Sequence, residues 1–201
     1  MEGSTTMDDT GGKKPKTQRK YTIKSHPTIG CCGIDCGLCP RFYTEGKSRC
    51  PGCGGGDFEK KHPPCSVKTC CIEKHELEAC GLCADYPCIR YENREKAEKD
   101  SFVTHKRIYQ NHEKIKTDGI VRFLSIQAER ISILDTMLTD FDDGRSKSYY
   151  CLATALLRIE QLRISIDEAS GEKDKKSKAK ALKALLQEHA NASGIRLSLD
   201  Q

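Results

Sequence analysis

Apolar residues in the second half of the chain recur with the period of an α-helix. One series runs from Ile120 to Phe141, and its members are Ile120, Phe123, Leu124, Ile131, Leu134, Met137, Leu138 and Phe141. Thr117 or Asp118 offers an N-cap before it, and the turn-forming run Asp142-Asp143-Gly144 ends it. A second series begins near Ser146 and extends to Ile166. The pattern therefore predicts two long amphipathic helices joined by a turn.

Weaker helical patterns lie on both sides of these two helices. Residues 89–115 are rich in Glu and Lys around a sparse apolar stripe, which predicts one or two exposed amphipathic helices. His105 and His112 lie two turns apart there and are assigned to the solvated face. Residues 171–201 predict a charged linker and a short helix from Ala181 to Ala190 that docks on the bundle or folds only on a partner. The three main helical segments are expected to pack as an antiparallel bundle.

The first part of the chain has no such period. Twelve of the thirteen cysteines lie between Cys31 and Cys88, separated by turn-forming stretches such as Gly54–Gly56 and Pro63-Pro64. Residues 1–27 are polar and basic, which predicts a disordered tail. The predicted organisation is a tail at 1–27, a cysteine-rich module at 28–90, a helical module at 91–170, and the linker with its short helix at 171–201.

Composition indicates that the cysteine-rich module needs more than apolar burial to fold. Apolar residues make up 36% of the chain, charged residues 31%, and Trp is absent. Small folds of this kind use metal ions or disulfides. The N-terminal stretch lacks the apolar segment of a signal peptide, and no run approaches the roughly eighteen apolar residues of a membrane span. We therefore expect a cytoplasmic protein without a membrane partner, whose reduced cysteines bind metal; a disulfide framework is the less favoured alternative.

The spacing of the cysteines identifies candidate metal ligands. The run Cys50-Pro51-Gly52-Cys53-Gly54 has the form of a metal knuckle, in which two thiolates face one ion across a tight turn. Cys36 with Cys39 and Cys80 with Cys83 share its two-residue spacing. Three such pairs within about fifty residues indicate metal binding. The predicted ligands are Cys32, Cys36, Cys39, Cys50, Cys53, Cys65, Cys70, Cys80, Cys83 and Cys88.

Two kinds of metal centre stay open, because tetrahedral thiolate sites suit both zinc and iron–sulfur clusters. The knuckle and the wide scatter of cysteine pairs favour two or more structural zinc ions. Cys39-Pro40 is similar to the end of a ferredoxin ligand run, although the ferredoxin spacing is missing, so an iron–sulfur redox centre on the same cysteines is the alternative. The expected sets are Cys36, Cys39, Cys50 and Cys53 for one ion and a choice among Cys65, Cys70, Cys80, Cys83 and Cys88 for the other, with Cys32 able to join either.

Other polar residues near the cysteines are assigned to solvent. His62 and His75 are possible replacement ligands but are predicted to be surface imidazoles. Asp35 and Asp85 are predicted to be solvated turn carboxylates rather than bases or hydrogen-bond partners of a ligand. Cys151, far from the cluster in sequence, is predicted to be a small buried apolar residue. No catalytic residue is assigned, because the chain has no phosphate-binding loop, nucleophile elbow or metalloprotease motif, and an enzyme is not favoured.

The order of the cysteines resembles the prokaryotic domain-of-unknown-function family 3795, a cysteine-rich family suspected of binding zinc. The resemblance covers roughly residues 28–130, including Gly119 and the pair Phe123-Leu124, and it matches all ten predicted ligands and Pro87. It implies a metal site, but the family carries no established activity to transfer. Cys31 and Cys71 are extra neighbours of matched cysteines, which leaves the ligand at each doublet open.

The net charge adds little to these expectations. The formal value is +5, but eight thiolates on two zinc ions would remove about four units. Aromatic residues do not alternate with basic ones near the knuckles, so a nucleic-acid-binding zinc-knuckle protein is the weaker alternative. The sequence predicts a mainly α protein, with a small irregular metal-binding module followed by an antiparallel helical bundle, that acts as an interaction or scaffold protein for a protein partner.

Overall fold

The computed structural model describes residues 24–91 and 99–200, and this part of the chain is mainly helical, as predicted. Its α-helices are α1 (Phe58–Lys61), α2 (Ser66–Lys68), α3 (Ile108–Asp118), α4 (Ile120–Thr136), α5 (Lys147–Leu156), α6 (Ile159–Ser170) and α7 (Lys175–Ala192). Thr69–Lys74 extends α2 and Met137–Phe141 extends α4, both as π-helical turns. Single 3₁₀ turns form at Cys36–Leu38, Gly46–Ser48 and Cys80–Leu82. Neither described range contains a β-strand.

Helices α4 to α7 enclose the largest apolar core. Leu134 and Met137 from α4 and its extension meet Leu162 of α6 and Leu182 and Leu186 of α7, and all five side chains are fully buried. These residues repeat at the helical period, so each helix presents one apolar face to the core. None of the helices in the described ranges has an apolar stretch of the length that crossing a bilayer requires.

Helix α7 corrects the prediction of a charged linker with a short helix from Ala181. The helix begins at Lys175, where the Asp174 side chain accepts hydrogen bonds from the backbone N–H groups of Lys176 and Ser177. The lysine-rich stretch continues the helix because Lys, Ala and Leu are all good helix formers. Near the start of α6, the Gln161 amide donates to Ser193 Oγ, just after the end of α7, at 3.1 Å, so the two helices run antiparallel.

The single helix predicted from Ser146 to Ile166 is in fact two helices. The chain turns to extended backbone at Leu157 and Arg158, and α6 starts there. Gln161 Oε1 accepts a hydrogen bond from the Arg158 backbone N–H at 3.0 Å. Arg130 of α4 donates to the carbonyl of Leu157 at 2.8 Å and also to that of Thr154. These bonds satisfy carbonyls that the end of a helix leaves without partners in its own backbone.

The junction between α3 and α4 is a single glycine. Gly119 has φ of 80° and ends α3 while it caps α4, a conformation that favours glycine. The predicted caps, Thr117 and Asp118, instead belong to the last turn of α3. One or two helices were predicted in residues 89–115. Among the described residues of this segment, only those from Ile108 onward are helical, and residues 92–98 lie outside the described ranges.

The cysteine-rich module begins earlier than predicted. Residues 1–23 of the predicted tail lie outside the described residues. The structure therefore does not bear on a role of the tail in nucleic-acid binding. Lys24 is buried, its backbone N–H donates to Gly54 O at 3.0 Å, and its ammonium donates to Ile29 O at 2.6 Å. The last residues assigned to the tail are therefore part of the module.

The bundle core allows a direct test of its contribution to stability. Leu186→Ala is expected to lower the free energy of unfolding by about 2–5 kcal/mol, because it removes apolar contacts and leaves a cavity. Urea denaturation followed by far-UV circular dichroism measures this loss. Val121→Ala on α4 is the control, because Val121 is 81% exposed and its truncation should change stability by less than about 0.5 kcal/mol. Equal losses for the two variants would contradict the assignment of this core.

Candidate metal centres

The clustered cysteines line two cavities. The first cavity has a volume of about 850 Å³, and its six cysteines are Cys32, Cys36, Cys39, Cys50, Cys53 and Cys65. The second cavity is smaller, about 150 Å³, and its cysteines are Cys70, Cys71, Cys80, Cys83 and Cys88. All ten predicted ligands therefore lie on one of two cavities. The expected set of Cys36, Cys39, Cys50 and Cys53 shares the first cavity, where the structure also places Cys32 and Cys65.

Tight turns bring the cysteines of the first cavity together. Cys39 directly follows the 3₁₀ turn at Cys36–Leu38, and its backbone N–H donates a hydrogen bond to Cys36 O at 3.2 Å. The backbone N–H of Cys50 donates to Arg41 O at 2.9 Å, which joins the two segments. Gly52 in the knuckle has φ of +81°, and a Cβ there would lie 2.2 Å from Pro27 O. Only glycine is compatible with this turn.

A line of buried sulfur atoms runs between the two cavities. Cys31 Sγ lies 3.8 Å from Cys53 Sγ, and the Cys31 N–H donates to the same sulfur at 3.5 Å. The Cys71 thiol donates a hydrogen bond to Leu77 O at 3.2 Å, and the neighbouring Cys31 and Cys80 both affect its pKa. The hydrogen bond with Cys53 lowers the pKa of Cys31, but the hydrogen bond with Cys71 and burial outweigh it and raise that pKa to about 12. Of the first doublet, Cys32 lines a cavity, whereas Cys31 lies between the cavities.

Sulfur positions test which metal suits the cavities. A tetrahedral zinc ion with Zn–S bonds of about 2.3 Å holds its sulfurs about 3.8 Å apart. Within residues 24–91, which contain all twelve clustered cysteines, no three cysteine sulfurs lie within 4.8 Å of one another. The thiolates of a [4Fe–4S] cluster lie farther apart, because each binds a different iron atom around inorganic sulfide. In this range, therefore, no trio of cysteine sulfurs has the spacing that a bound tetrahedral zinc ion imposes.

The remaining lining of the first cavity is apolar with a basic rim. Apolar residues on its wall are Ile34, Phe58, Val67 and Val103, and basic ones are Arg41, Lys61 and Arg90. An apolar shell limits the access of water to a metal centre, and basic residues offset the negative charge of several thiolates. Burial raises the pKa of Cys36 well above its usual value, and a coordinated metal ion would deprotonate such a thiol.

Three polar residues have contacts that the sequence analysis did not predict. His62 is exposed as expected, yet its Nε2 lies 3.3 Å from Cys50 Sγ and its ring stacks on Phe58. His112, assigned to a solvated face, is fully buried, and its Nδ1 accepts a hydrogen bond from Gly81 N–H at 3.0 Å. Asp35, assigned to solvent, is 6% exposed. The contacts of His62 with Cys50 and of His112 with Gly81 join residues twelve and thirty-one positions apart, so no local motif marks them.

Comparisons with known proteins give no further guide to the chain. No protein-family model matches it, and neither a curated protein nor a solved structure is significantly similar to it. The resemblance to family 3795 therefore stays a prediction. No disulfide joins any of the thirteen cysteines, all of which lie in the described residues. Cys151 is 2% exposed within the core of the bundle, which confirms its assignment as a buried apolar residue.

Proposed function

We propose that this chain is a redox protein whose first cavity holds an iron–sulfur cluster. The proposal rests mainly on one observation: six cysteines share this cavity, while no three cysteine sulfurs in residues 24–91 come within 4.8 Å of one another. A single zinc ion needs four ligands at close range. The structural zinc scaffold that the cysteine spacing favours would require these sulfurs to converge, whereas a cluster uses the space between them.

The surroundings of the cavity support an electron-transfer role. Hydrogen bonds to cluster sulfurs and limited exposure to water tune the reduction potential of a cluster. Cys53 Sγ accepts a hydrogen bond from the Cys31 N–H at 3.5 Å, and Cys53 is itself buried. Four of the cavity cysteines are candidates to bind iron, and the cluster supplies the one-electron chemistry. The protein contributes the apolar wall, the basic rim and the hydrogen bond to Cys53.

The proposal assigns a compartment and a type of partner. A cytoplasmic location keeps thiols reduced and available to metal. An electron-transfer centre needs a donor and an acceptor, so the predicted protein partner is one that exchanges a single electron with the cluster. The basic residues Arg41, Lys61 and Arg90, which line the cavity, favour a partner with an acidic docking surface.

Metal and sulfide analysis of anaerobically purified protein tests the proposal. The expected result is iron and inorganic sulfide in similar amounts, with a brown colour that bleaches on reduction with dithionite. Cys36→Ser should lose the iron and the colour, because Cys36 lies in the cavity. Cys151→Ala is the matched control and should retain both, because Cys151 lies in the bundle core. A colourless protein that contains zinc and no sulfide would overturn the proposal in favour of the scaffold.

A further inference from the structure

His75, Cys83 and Asp85 come together at the edge of the second cavity. The three residues place one ligand atom each within 4.8 Å of the other two, and they line the cavity together. In the described residues, this is the one group of three or more potential ligands at such short range. The sequence analysis predicted His75 and Asp85 to be solvated side chains, and both are exposed. The closeness of His75 to Cys83 was not predicted.

The backbone holds this arrangement in place. His75 ends the π-helical turn Thr69–Lys74, and the chain then reverses at Glu76, which has φ of +54°. The Leu77 N–H donates to Cys71 O at 2.9 Å. On the other side, the Cys83 N–H donates to Cys80 O at 2.9 Å. Two short turns therefore bring the backbones that carry His75 and Cys83 close together.

The same segment is anchored to helix α3. The Gly81 N–H donates to the buried Nδ1 of His112 at 3.0 Å. A Cβ at Gly81 would lie 2.8 Å from the His112 carbonyl oxygen, so the close approach requires glycine. The anchor connects the turn that carries Cys83 to a rigid helix, which favours a preorganised site.

We infer that His75, Cys83 and Asp85 bind a divalent transition-metal ion that keeps an open coordination position. Imidazole nitrogen, thiolate sulfur and carboxylate oxygen are the three ligand types that zinc takes in proteins. Bond lengths of about 2.0–2.3 Å place such ligands about 3.3–3.8 Å apart. The exposed side chains of His75 and Asp85 can reach that spacing by small rotations. Three protein ligands with a free fourth position are typical of zinc sites that bind water or substrate.

The fourth position points to a small anion or water as the further ligand. The second cavity, about 150 Å³, lies against all three residues and provides space beside the ion. Arg90 lines the same cavity, and its guanidinium favours an anion. The site does not depend on which metal occupies the first cavity. The proposed site differs from a metal site with four cysteine ligands in the same cavity. Such a site would need Cys70, Cys80 and Cys88 to converge on Cys83.

Cobalt provides the test, because Co²⁺ replaces zinc and its visible absorption reports on coordination. The full-length protein, purified anaerobically, is titrated with Co²⁺ in competition with a chelator. We expect intense tetrahedral bands with a sulfur-to-cobalt charge-transfer band. His75→Ala and Asp85→Ala should each weaken the affinity at least about tenfold, since loss even of a residue that supports a ligand costs that much. His26→Ala and Asp167→Ala, both exposed in the structure, are the matched controls and should bind cobalt normally.

Two results would overturn the inference. If the His75 and Asp85 variants bind cobalt like the native protein while Cys80→Ser does not, the second cavity holds a thiolate site instead. If the cobalt spectrum is pale and octahedral in every variant, the binding is adventitious. Thiocyanate tests the open position, because a bound anion should change the cobalt bands, and an unchanged spectrum would exclude that position. Iron and sulfide measured in the same samples should be unchanged in His75→Ala, which separates this site from the proposed cluster.

Discussion

Loss of the metal proposed for the first cavity is expected to unfold the cysteine-rich module while helices α4 to α7 remain folded. The apolar cluster of the module consists largely of cysteines together with residues such as Phe58, Val67 and Ile72. Metal binding contributes on the order of 10 kcal/mol to folding in small metal-dependent domains, which is comparable to the entire stability of a typical domain, about 5–15 kcal/mol. The bundle core needs no such contribution, because it consists of buried leucines and other large apolar residues.

Cys53→Ser is the single substitution that tests this expectation best. Cys53 lines the first cavity and also contacts the buried Cys31, so its loss affects the metal and the packing together. Limited proteolysis should cut residues within the module and spare the bundle, and far-UV circular dichroism should keep most of its helical signal. Cys151→Ala is the control and should leave the module resistant to protease. A Cys53→Ser protein that resists protease and melts like the native one would contradict the expectation.

Periodicity predicted those helices whose limits are set by local residues. Helix α4 and its extension end at Phe141, where the Asp142-Asp143-Gly144 turn was expected to end it. The break between α5 and α6 was missed, because the carbonyls exposed there are satisfied by Arg130, which is more than twenty residues away. Helix α7 was predicted too short, because its first turns are rich in lysine and bury only the small side chain of Ala179.

The candidate metal site was predictable to the extent that it depends on spacing. Short pairs such as Cys36 with Cys39 bend the chain through a single turn, so their joint presence on one cavity follows from local geometry. Cys65 lies at the start of α2, and its place in the first cavity depends on the apolar cluster that Val67 of α2 and Cys53 share. The roles of Asp35 and His112 depend on contacts across more than thirty residues, and no pattern in the sequence shows such contacts.

Asp35 connects the module to the bundle through buried hydrogen bonds. Its Oδ2 accepts a hydrogen bond from Asn111 Nδ2 of α3 at 2.8 Å, and its Oδ1 accepts one from Gln127 Nε2 of α4 at 3.0 Å. Arg107 Nε lies 3.9 Å from Oδ2, and the Arg107 side chain is only 13% exposed. At the interface between the two parts of the protein, a single carboxylate therefore accepts hydrogen bonds from two amides and lies beside one guanidinium.

Asp35→Ala is expected to lower the free energy of unfolding by about 3–5 kcal/mol, because it leaves the buried partner charge and the amide donors without their acceptor. Asp35→Asn keeps the size but places an amide group against donors, so we expect a smaller loss. Urea denaturation of the metal-loaded protein measures these values. Asp167→Ala removes an exposed carboxylate and should cost less than about 0.5 kcal/mol. A loss for Asp35→Ala no larger than for Asp167→Ala would mean that this carboxylate does not hold the module on the bundle.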